Sequence, residues 1–344
     1  MLILGIETSC DDTCAAVVRD GREVLSNVIA SQDHLHQKFG GIVPEIACRR
    51  HLEALQPTIH ESLSVAGVEL ADIDAIAVTN RPGLVGALIV GVAAAKSMSL
   101  ALGKPLVGVH HLESHIWASV LAEPDLEFPF VCLIVSGGHT DLFICKAPGE
   151  YEIVARTADD AAGECFDKCA RALGLGWPGG PAIDRLAAEG DPSKVTFPRA
   201  RVGDTLNFSF SGVKTAVARF IQQEDAGGQG AVGVSKADIA ASLQQAIVDV
   251  LTSHTLKAAE LTGVKWIAVG GGVAANSLLQ QKMRDSAVRR GFHIAIPKPR
   301  LCTDNAAMVA AAAYYRLQRG DCDGLDLDAR ATEPLAPVRT LAKR

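Results

Sequence analysis

The stretch Leu2-Ile3-Leu4-Gly5-Ile6-Glu7-Thr8-Ser9 decides the fold, because its pattern returns in mid-chain as Phe130-Val131-Cys132-Leu133-Ile134-Val135-Ser136-Gly137-Gly138-His139-Thr140. Each is a short apolar strand that runs into small polar residues. Each is followed by a second strand, through Ala15-Ala16-Val17-Val18 in the first case and Leu142-Phe143-Ile144-Cys145 in the second. Both read as hairpins with a polar tip. A second echo lies further on. Ile73-Asp74-Ala75-Ile76-Ala77-Val78 meets Thr79-Asn80-Arg81-Pro82-Gly83 and an apolar helix, and Val264-Lys265-Trp266-Ile267-Ala268-Val269 meets Gly270-Gly271-Gly272 and a helix from about Asn276. Strands alternating with helices predict α/β layers, and the doubling predicts two similar domains facing a cleft. The boundary is expected in Glu123-Pro124-Asp125-Leu126-Glu127, giving domains 1–125 and 126–344, with the helix from about 304 able to pack back on the first.

Apolar spacing and breakers predict helices at about 44–66, 83–102, 111–122, 159–173, 181–189, 211–224, 236–261, 276–290 and 304–319. Gly227-Gly228-Gln229-Gly230, with Gly233 beyond, reads as a mobile loop between two of them. The tail after Gly320 shows no clear periodicity.

At 344 residues the chain suits about two domains and a large core. Its 48% hydrophobic and 21% charged residues exclude disordered and fibrous classes. Nine cysteines, odd in number and without a Cys-x-x-Cys pair, suggest a reducing cytoplasm. The N-terminus has no basic region and meets Glu7 early, so it reads as a strand and not as a signal peptide. The uncharged run from Pro82 to Ala95, bounded by Arg81 and Lys96, reads as too short to cross a membrane, which predicts a soluble protein. A net charge of −6 argues against gripping nucleic acid unaided. The basic clusters Arg49-Arg50, Lys194 with Arg199 and Arg201, Arg289-Arg290, and Lys298 with Arg300 read as solvated surface.

His111 and His115 stand four residues apart where an apolar strand gives way to a helix. Residues i and i+4 share a helix face, so two imidazoles can reach one cation. In the protease pattern His-Glu-x-x-His the glutamate directly follows the first histidine; here Glu113 lies two positions on, roughly 200° around the helix. A zinc peptidase would lack its base. A pair of partly buried histidines at a strand end is the other reading. A third ligand must come from elsewhere, and Asp304, in Cys302-Thr303-Asp304-Asn305, is the candidate, although Thr303 or Asp304 could simply cap the Ala-rich helix that follows. Two histidines and a carboxylate suit Fe(II), and zinc with a bound oxygen ligand.

Ser136-Gly137-Gly138-His139-Thr140 lets backbone amides approach an oxyanion, or is a hairpin turn and no more. Gly270-Gly271-Gly272-Val273-Ala274-Ala275-Asn276 follows a buried strand and precedes a helix, a layout that aims amides at an anion, but it is not a Walker loop. Asp159-Asp160 and Glu164 open a helix with acids, as the helix dipole favours, and Glu164 with Lys168 reads as an i,i+4 surface pair. Asp167 precedes Gly174, Gly176 and Trp177-Pro178-Gly179-Gly180-Pro181, a shape suited to a flat ring and its ribose, and Asp184 follows on the next helix.

Taken together, Gly5-Ile6-Glu7-Thr8-Ser9-Cys10-Asp11, Gly40-Gly41-Ile42-Val43-Pro44-Glu45, His111-Leu112-Glu113-Ser114-His115, Ser136-Gly137-Gly138-His139-Thr140, Ala161 to Lys168, Phe208-Ser209-Phe210-Ser211-Gly212-Val213-Lys214-Thr215 and Cys302-Thr303-Asp304-Asn305 resemble one family. It is the bacterial tRNA adenosine threonylcarbamoyltransferase family, once named a glycoprotease. The match runs in order from residue 3 to about 320. The resemblance implies an actin-like fold, as in sugar kinases and heat-shock ATPases, with two related domains around a nucleotide cleft. It implies that His111, His115 and Asp304 hold one divalent metal ion per subunit, Fe(II) first and Zn(II) second. It implies that Ile134, Val135, Ser136, Gly137 and Gly138 lie against the substrate, and that Asp167, Gly180, Asp184 and Asn276 contact its nucleoside part.

The reaction so implied moves a threonylcarbamoyl group from its adenylate, threonylcarbamoyl-AMP, to the exocyclic amine of the adenosine beside the anticodon, in tRNAs reading codons that begin with A. AMP is the leaving group. The metal would act as Lewis acid and template. The amides at Gly137 and Gly138 would add fixed dipoles. Asp11, with His139 as second candidate, would take the amine proton; turn hydrogen bonding is the other reading of Asp11. A paralogous actin-like dimer partner and a small ATPase are implied as companions in the cytoplasm, with no membrane. Three residues depart from the family pattern: Asp12 where Glu is common, Arg81 where Gly is common, and Trp177 for a frequent Tyr. The rivals are a kinase or ATPase of the same architecture, which would use Mg²⁺ held by carboxylates, water and phosphates, and a catalytically silent scaffold subunit.

Overall fold

The computed structural model describes residues 1–200, 202–225 and 233–339. The predicted loop at 227–230 and the basic residue Arg201 lie outside the described residues. In chain order the strands are β1 Leu2–Glu7, β2 Thr13–Arg19, β3 Glu23–Ala30, β4 Ala75–Arg81, β5 Leu106–His110, β6 Phe130–Val135, β7 Thr140–Ala147, β8 Glu150–Arg156, β9 Trp266–Gly270 and β10 His293–Ala295. The helices begin with α1 Asp33–His36, α2 Pro44–Ala66, α3 Val85–Leu102, α4 His111–Ala122, α5 Ala162–Ala172 and α6 Gly179–Ala187. They continue with α7 Ser211–Asp225, α8 Lys236–Thr262, α9 Ser277–Arg289, α10 Pro299–Cys302 and α11 Ala306–Gln318.

The doubling read from the sequence is a doubling of topology. One five-stranded sheet runs β3-β2-β1-β4-β5 and the other β8-β7-β6-β9-β10. In each, the first strand pairs antiparallel with its hairpin partner and parallel with the strand after the crossover: Ile3 faces Val18 and Ala75, and Phe130 faces Cys145 and Trp266. The sheets are mixed in the same way because both halves follow a hairpin with a helical crossover.

The chain forms two compact units, Met1–Pro124 with Pro297–Leu335, and Asp125–Ile296 with Ala336–Arg344. In the first unit β1 is buried on both faces, as a near-continuous apolar strand should be. Leu4 and Ile6 pack with Leu55 and Ile59 of α2 and Val92 and Ala95 of α3. On the opposite face Gly5 meets α11: a Cβ there would stand 2.3 Å from the carbonyl oxygen of Ala306. The Ala-rich helix thus lies directly on the strand, and this contact sets where the residues just before α11 sit. Helix α11 also packs on α4.

Two expectations change here. The uncharged run ends at Ala95, but one lysine on a helix face does not stop a helix, and α3, which runs on to Leu102 as the 83–102 window expects, is long and apolar enough to cross a membrane by length and composition. In the first unit it packs on β4 and α2. The tail after Gly320, aperiodic in sequence, is tied down residue by residue. Asp323 N donates to Leu106 O at 2.8 Å, the Asp323 carboxylate accepts from Gly108 N at 2.8 Å, and Arg330 N donates to Asn80 O at 2.9 Å. The two Asp323 bonds satisfy the edge strand β5 without a regular strand of their own, and the third ties the tail to β4.

Candidate functional site

Strand β5 ends at His110 and α4 begins at His111. The turn is closed by His110, whose Nδ1 accepts from Leu112 N at 3.2 Å and whose Nε2 bonds the Glu333 carbonyl at 2.9 Å. Burial, its largest influence, pulls the His110 imidazole down to about 4, so it stays neutral and keeps one nitrogen as acceptor. The i,i+4 spacing then sets the His111 and His115 rings edge to face, 4.7 Å apart.

The third member comes from the turn before α11. Asn305, not Thr303 or Asp304, caps that helix, accepting from Met308 N at 3.1 Å. The Asp304 carboxylate therefore turns to the histidines: its Oδ1 lies 3.2 Å from His115 Nε2 and 3.6 Å from His111 Nε2. Donors around a tetrahedral cation with bonds of about 2.0–2.1 Å stand about 3.3 Å apart, so the spacing fits a divalent ion. The chemistry fits as well. Neither ring nitrogen of the fully buried His115 makes an aligned hydrogen bond among the described residues, and for Nε2, the one that faces Asp304, a lone pair aimed at a cation explains this. All three residues belong to the first unit, so Asp304 reaches the histidines from within that unit and not from a facing domain.

Two further residues complete this centre, and the sequence reading missed both. Glu7, fully buried at the end of β1, lies 3.2 Å from His111 Nδ1, and Ser9 Oγ lies 3.1 Å from the same nitrogen. A lone acid closing an apolar buried strand was the available signal. Burial opposes a charge on His111, but Asp304 and Glu7 outweigh it and raise the imidazole to about 9. Burial likewise pushes Glu7 up, yet His111 and the Thr79 hydroxyl bring it below the usual carboxylate range. The centre favours positive charge.

Asp11 sits in the β1–β2 turn of the same unit; burial raises its carboxyl, the Cys10 thiol draws it down, and Asp304 raises it again. Burial, with Asp11 and Asp304, pushes the neighbouring Asp12 up to about 7. Carboxyls raised in this way are suited to taking a proton near neutral pH.

The second unit holds the other candidates. Ile134 and Val135 are buried at the end of β6, and the Ser136 to His139 turn is closed by Ser136 N donating to His139 O at 2.8 Å. Gly163 N donates to Ser136 O at 3.1 Å, and a Cβ on Gly163 would lie 2.8 Å from Gly137 N. Helix α5 therefore abuts this turn, while open space lies beside Gly137 and Gly138. Asp167 accepts from Gly179 N at 2.7 Å, so it caps the start of α6, next to Gly180. Asp184 and Asn276 are brought into direct contact: Asn276 Nδ2 donates to Asp184 at 3.1 Å and to Gln244 at 3.2 Å.

Three motifs resolve into structure. The triple glycine does not open a helix; a 3-10 turn intervenes and α9 is capped by Asn276 Oδ1 on Leu279 N. Asp184 already accepts Ser277 N at 3.1 Å, so the helix start aims at a side chain of the protein itself. Asp159 accepts from Ser209, Phe210 and Ser211, and Asp160 pairs with Lys168 and Lys214, which explains the Phe208 to Thr215 motif as the anchored start of α7. Glu164 and Lys168 form the expected surface pair at 2.8 Å.

A family model described as tRNA N6-adenosine threonylcarbamoyltransferase matches residues 23–311. A protein of that name from Symbiobacterium thermophilum is 54% identical over 328 residues, 95% of each chain. Another from Geotalea uraniireducens is 51% identical over 345 residues, covering 100% of this chain and 98% of its own. Among solved structures, component A of the (R)-2-hydroxyglutaryl-CoA dehydratase of Acidaminococcus fermentans superposes with a TM-score of 0.54 at 16% identity, covering 92% of this chain and 99% of its own. HypF of T. kodakarensis does so at 0.59 and 16%, covering 93% and 48%. These likenesses show the actin-like ATPase fold and nothing of the chemistry.

Proposed function

The chain belongs to the tRNA N6-adenosine threonylcarbamoyltransferase family, and from that premise we propose that it transfers a threonylcarbamoyl group from threonylcarbamoyl-AMP to the N6 amine of a tRNA adenosine, releasing AMP. The adenosine is the one beside the anticodon in tRNAs that read codons beginning with A. The observation that carries this reading is the convergence of His111, His115 and Asp304. A phosphotransferase of the same fold, working through Mg²⁺ on oxygen ligands, has no need of two buried imidazoles.

His111, His115 and Asp304 hold the cation in this reading. Fe(II) is the first choice and Zn(II) the second, since two imidazoles and one carboxylate with open positions suit either. The ion supplies Lewis acidity and a fixed positive charge for the oxygens of the acyl donor.

Asp11 takes the proton that the aryl amine loses on attack, with His139 as the second candidate; a carboxyl raised by burial matches that task better than an ordinary one. The amides of Gly137 and Gly138 offer donors to the donor's oxyanion, with Ile134, Val135 and Ser136 forming the wall beneath. Asp167, Gly180, Asp184 and Asn276 contact the nucleoside part, Asp167 from beside the α6 start and Asp184 paired with Asn276.

tRNA is a polyanion and this chain carries a net charge of −6, which supports a working complex with a paralogous actin-like chain and a small ATPase in the cytoplasm, their surfaces supplying basic charge. The test is to incubate the chain with threonine, bicarbonate, ATP, the companion proteins and unmodified tRNA, and to analyse the digested nucleosides. The threonylcarbamoyl nucleoside is expected only when this chain is present. ATP turnover with Mg²⁺ and no modified nucleoside would favour the phosphotransferase instead.

A further inference from the structure

Glu7 is a fully buried acid at the end of an otherwise apolar strand. Its Oε1 accepts from Ser9 N at 2.5 Å and its Oε2 from the Thr79 hydroxyl at 2.6 Å. The same Oε2 faces His111 Nδ1 at 3.2 Å. A backbone N–H can only donate, and a carboxylate so surrounded acts as acceptor toward all three partners. A metal-bound imidazole has given up one proton and carries a single ring N–H, and a carboxylate at Nδ1 keeps that proton there. Nε2, the nitrogen that faces Asp304, then retains its lone pair.

Resting on the metal reading above, we propose that Glu7 is a positioning residue of that centre: it locks His111 in the Nδ1–H tautomer and ring orientation that present Nε2 to the cation, while Thr79 and Ser9 hold Glu7 in place. The two histidines are unequal in this respect. His111 is oriented by a charge-assisted hydrogen bond at Nδ1, whereas His115 Nδ1 makes no aligned hydrogen bond among the described residues. The competing role for Glu7 is turn closure through Ser9 N, a purely structural task that would leave metal affinity untouched.

Glu7→Gln separates the two. Gln retains one acceptor oxygen, which Ser9 N can use, but its amide places donors where His111 needs an acceptor. Zn(II) affinity of the full chain is measured by chelator competition, and the His111 ring nitrogens are read by ¹⁵N NMR of the zinc-loaded protein. Wild type is expected to show zinc on Nε2 and a proton on Nδ1. Glu7→Gln should bind zinc about 10–100-fold more weakly, the usual loss for an outer-shell partner, with the far-UV spectrum of the metal-free chain unchanged. Thr79→Val, which removes only the donor that steadies Glu7, should give a smaller loss in the same direction and serves if Glu7→Gln does not fold. Equal zinc affinity in wild type and these variants, or zinc on Nδ1 of His111, overturns the proposal and leaves the metal site standing. Failure of wild type to bind zinc or Fe(II) overturns the metal site and the proposal together.

Discussion

His115 Nε2 lies 3.2 Å from Asp304 Oδ1, and neither nitrogen of that buried ring makes an aligned hydrogen bond among the described residues. A polar atom left so in a packed interior costs about 1–3 kcal/mol, and a cation bound at Nε2 removes the cost for that nitrogen. His115→Ala should therefore lose metal beyond the ~10–100-fold of an outer-shell change and lose transfer with it. Metal analysis of the purified variant beside a nucleoside assay checks this; full transfer by a demonstrably metal-free variant would sink it.

Chelation should lower the melting temperature of the wild-type chain and leave that of Asp304→Asn unmoved. An ion that binds only the folded chain at 100 times its Kd adds about 2.7 kcal/mol. Scanning calorimetry with and without chelator reads the difference, and equal shifts in both proteins would count against the site.

Asp141 gives a pH signature in the second unit. Burial, only partly offset by Arg156 3.7 Å away, raises its carboxyl from 3.8 to about 6. The folded chain thus holds this proton more tightly than the unfolded one, so stability from Asp141 is lost as pH rises from about 4 to 6. Asp141→Asn should match wild type at pH 4 and exceed it by about 2–3 kcal/mol at pH 7. Urea unfolding across that range is the measurement, and a gap that does not widen with pH would refute the assignment.

Gly5→Ala should destabilise by about 2–3 kcal/mol through overpacking, because the new methyl meets backbone of α11 and not a side chain that can swing away. Asp304 precedes that helix, so zinc affinity should fall in parallel. Urea denaturation and chelator competition on one sample decide it, and a stable variant with weakened zinc binding would show that α11 yields by moving.

Arg81, which departs from the family pattern, forms an ion pair at 2.8 Å with Glu333 of the C-terminal tail, both side chains being about a quarter exposed. Such a pair contributes on the order of 1 kcal/mol or less. Arg81→Gly should lower stability by no more than that and leave the salt slope of tRNA binding by the assembled complex unchanged. A slope reduced by about one would mean that Arg81 meets a phosphate.

The helices were legible because their signals are local. The windows 44–66 and 111–122 coincide with α2 and α4, and 83–102 with α3 to within two residues. The repeated strand and turn pattern became two sheets of one topology for the same reason. The four-residue helices α1 and α10 went unread, being too short to show a period, as did the three-residue edge strand β10; the longer edge strands β3 and β8, whose polar and charged residues interrupt the apolar run, went unread as well. The histidine pair was legible because i,i+4 spacing acts within one helix. Glu7 was not, because its role depends on Ser9, Thr79 and His111 standing around one carboxylate.

The sequence by itself determined the longer helices, the doubled strand-and-turn pattern and the shared face of His111 and His115, all of which follow from propensity and periodicity along the chain. Tertiary structure alone decided that Asn305 caps α11 while Asp304 turns to the histidines, that Asp184 occupies the α9 start, and that Glu7 faces His111. The outcomes at Asp304 and Glu7 turn on sheet order and on how closely α11 approaches β1 at Gly5. Charge, desolvation and hydrogen bonding act over a few ångströms of space, so their partners are set by the fold and not by sequence separation.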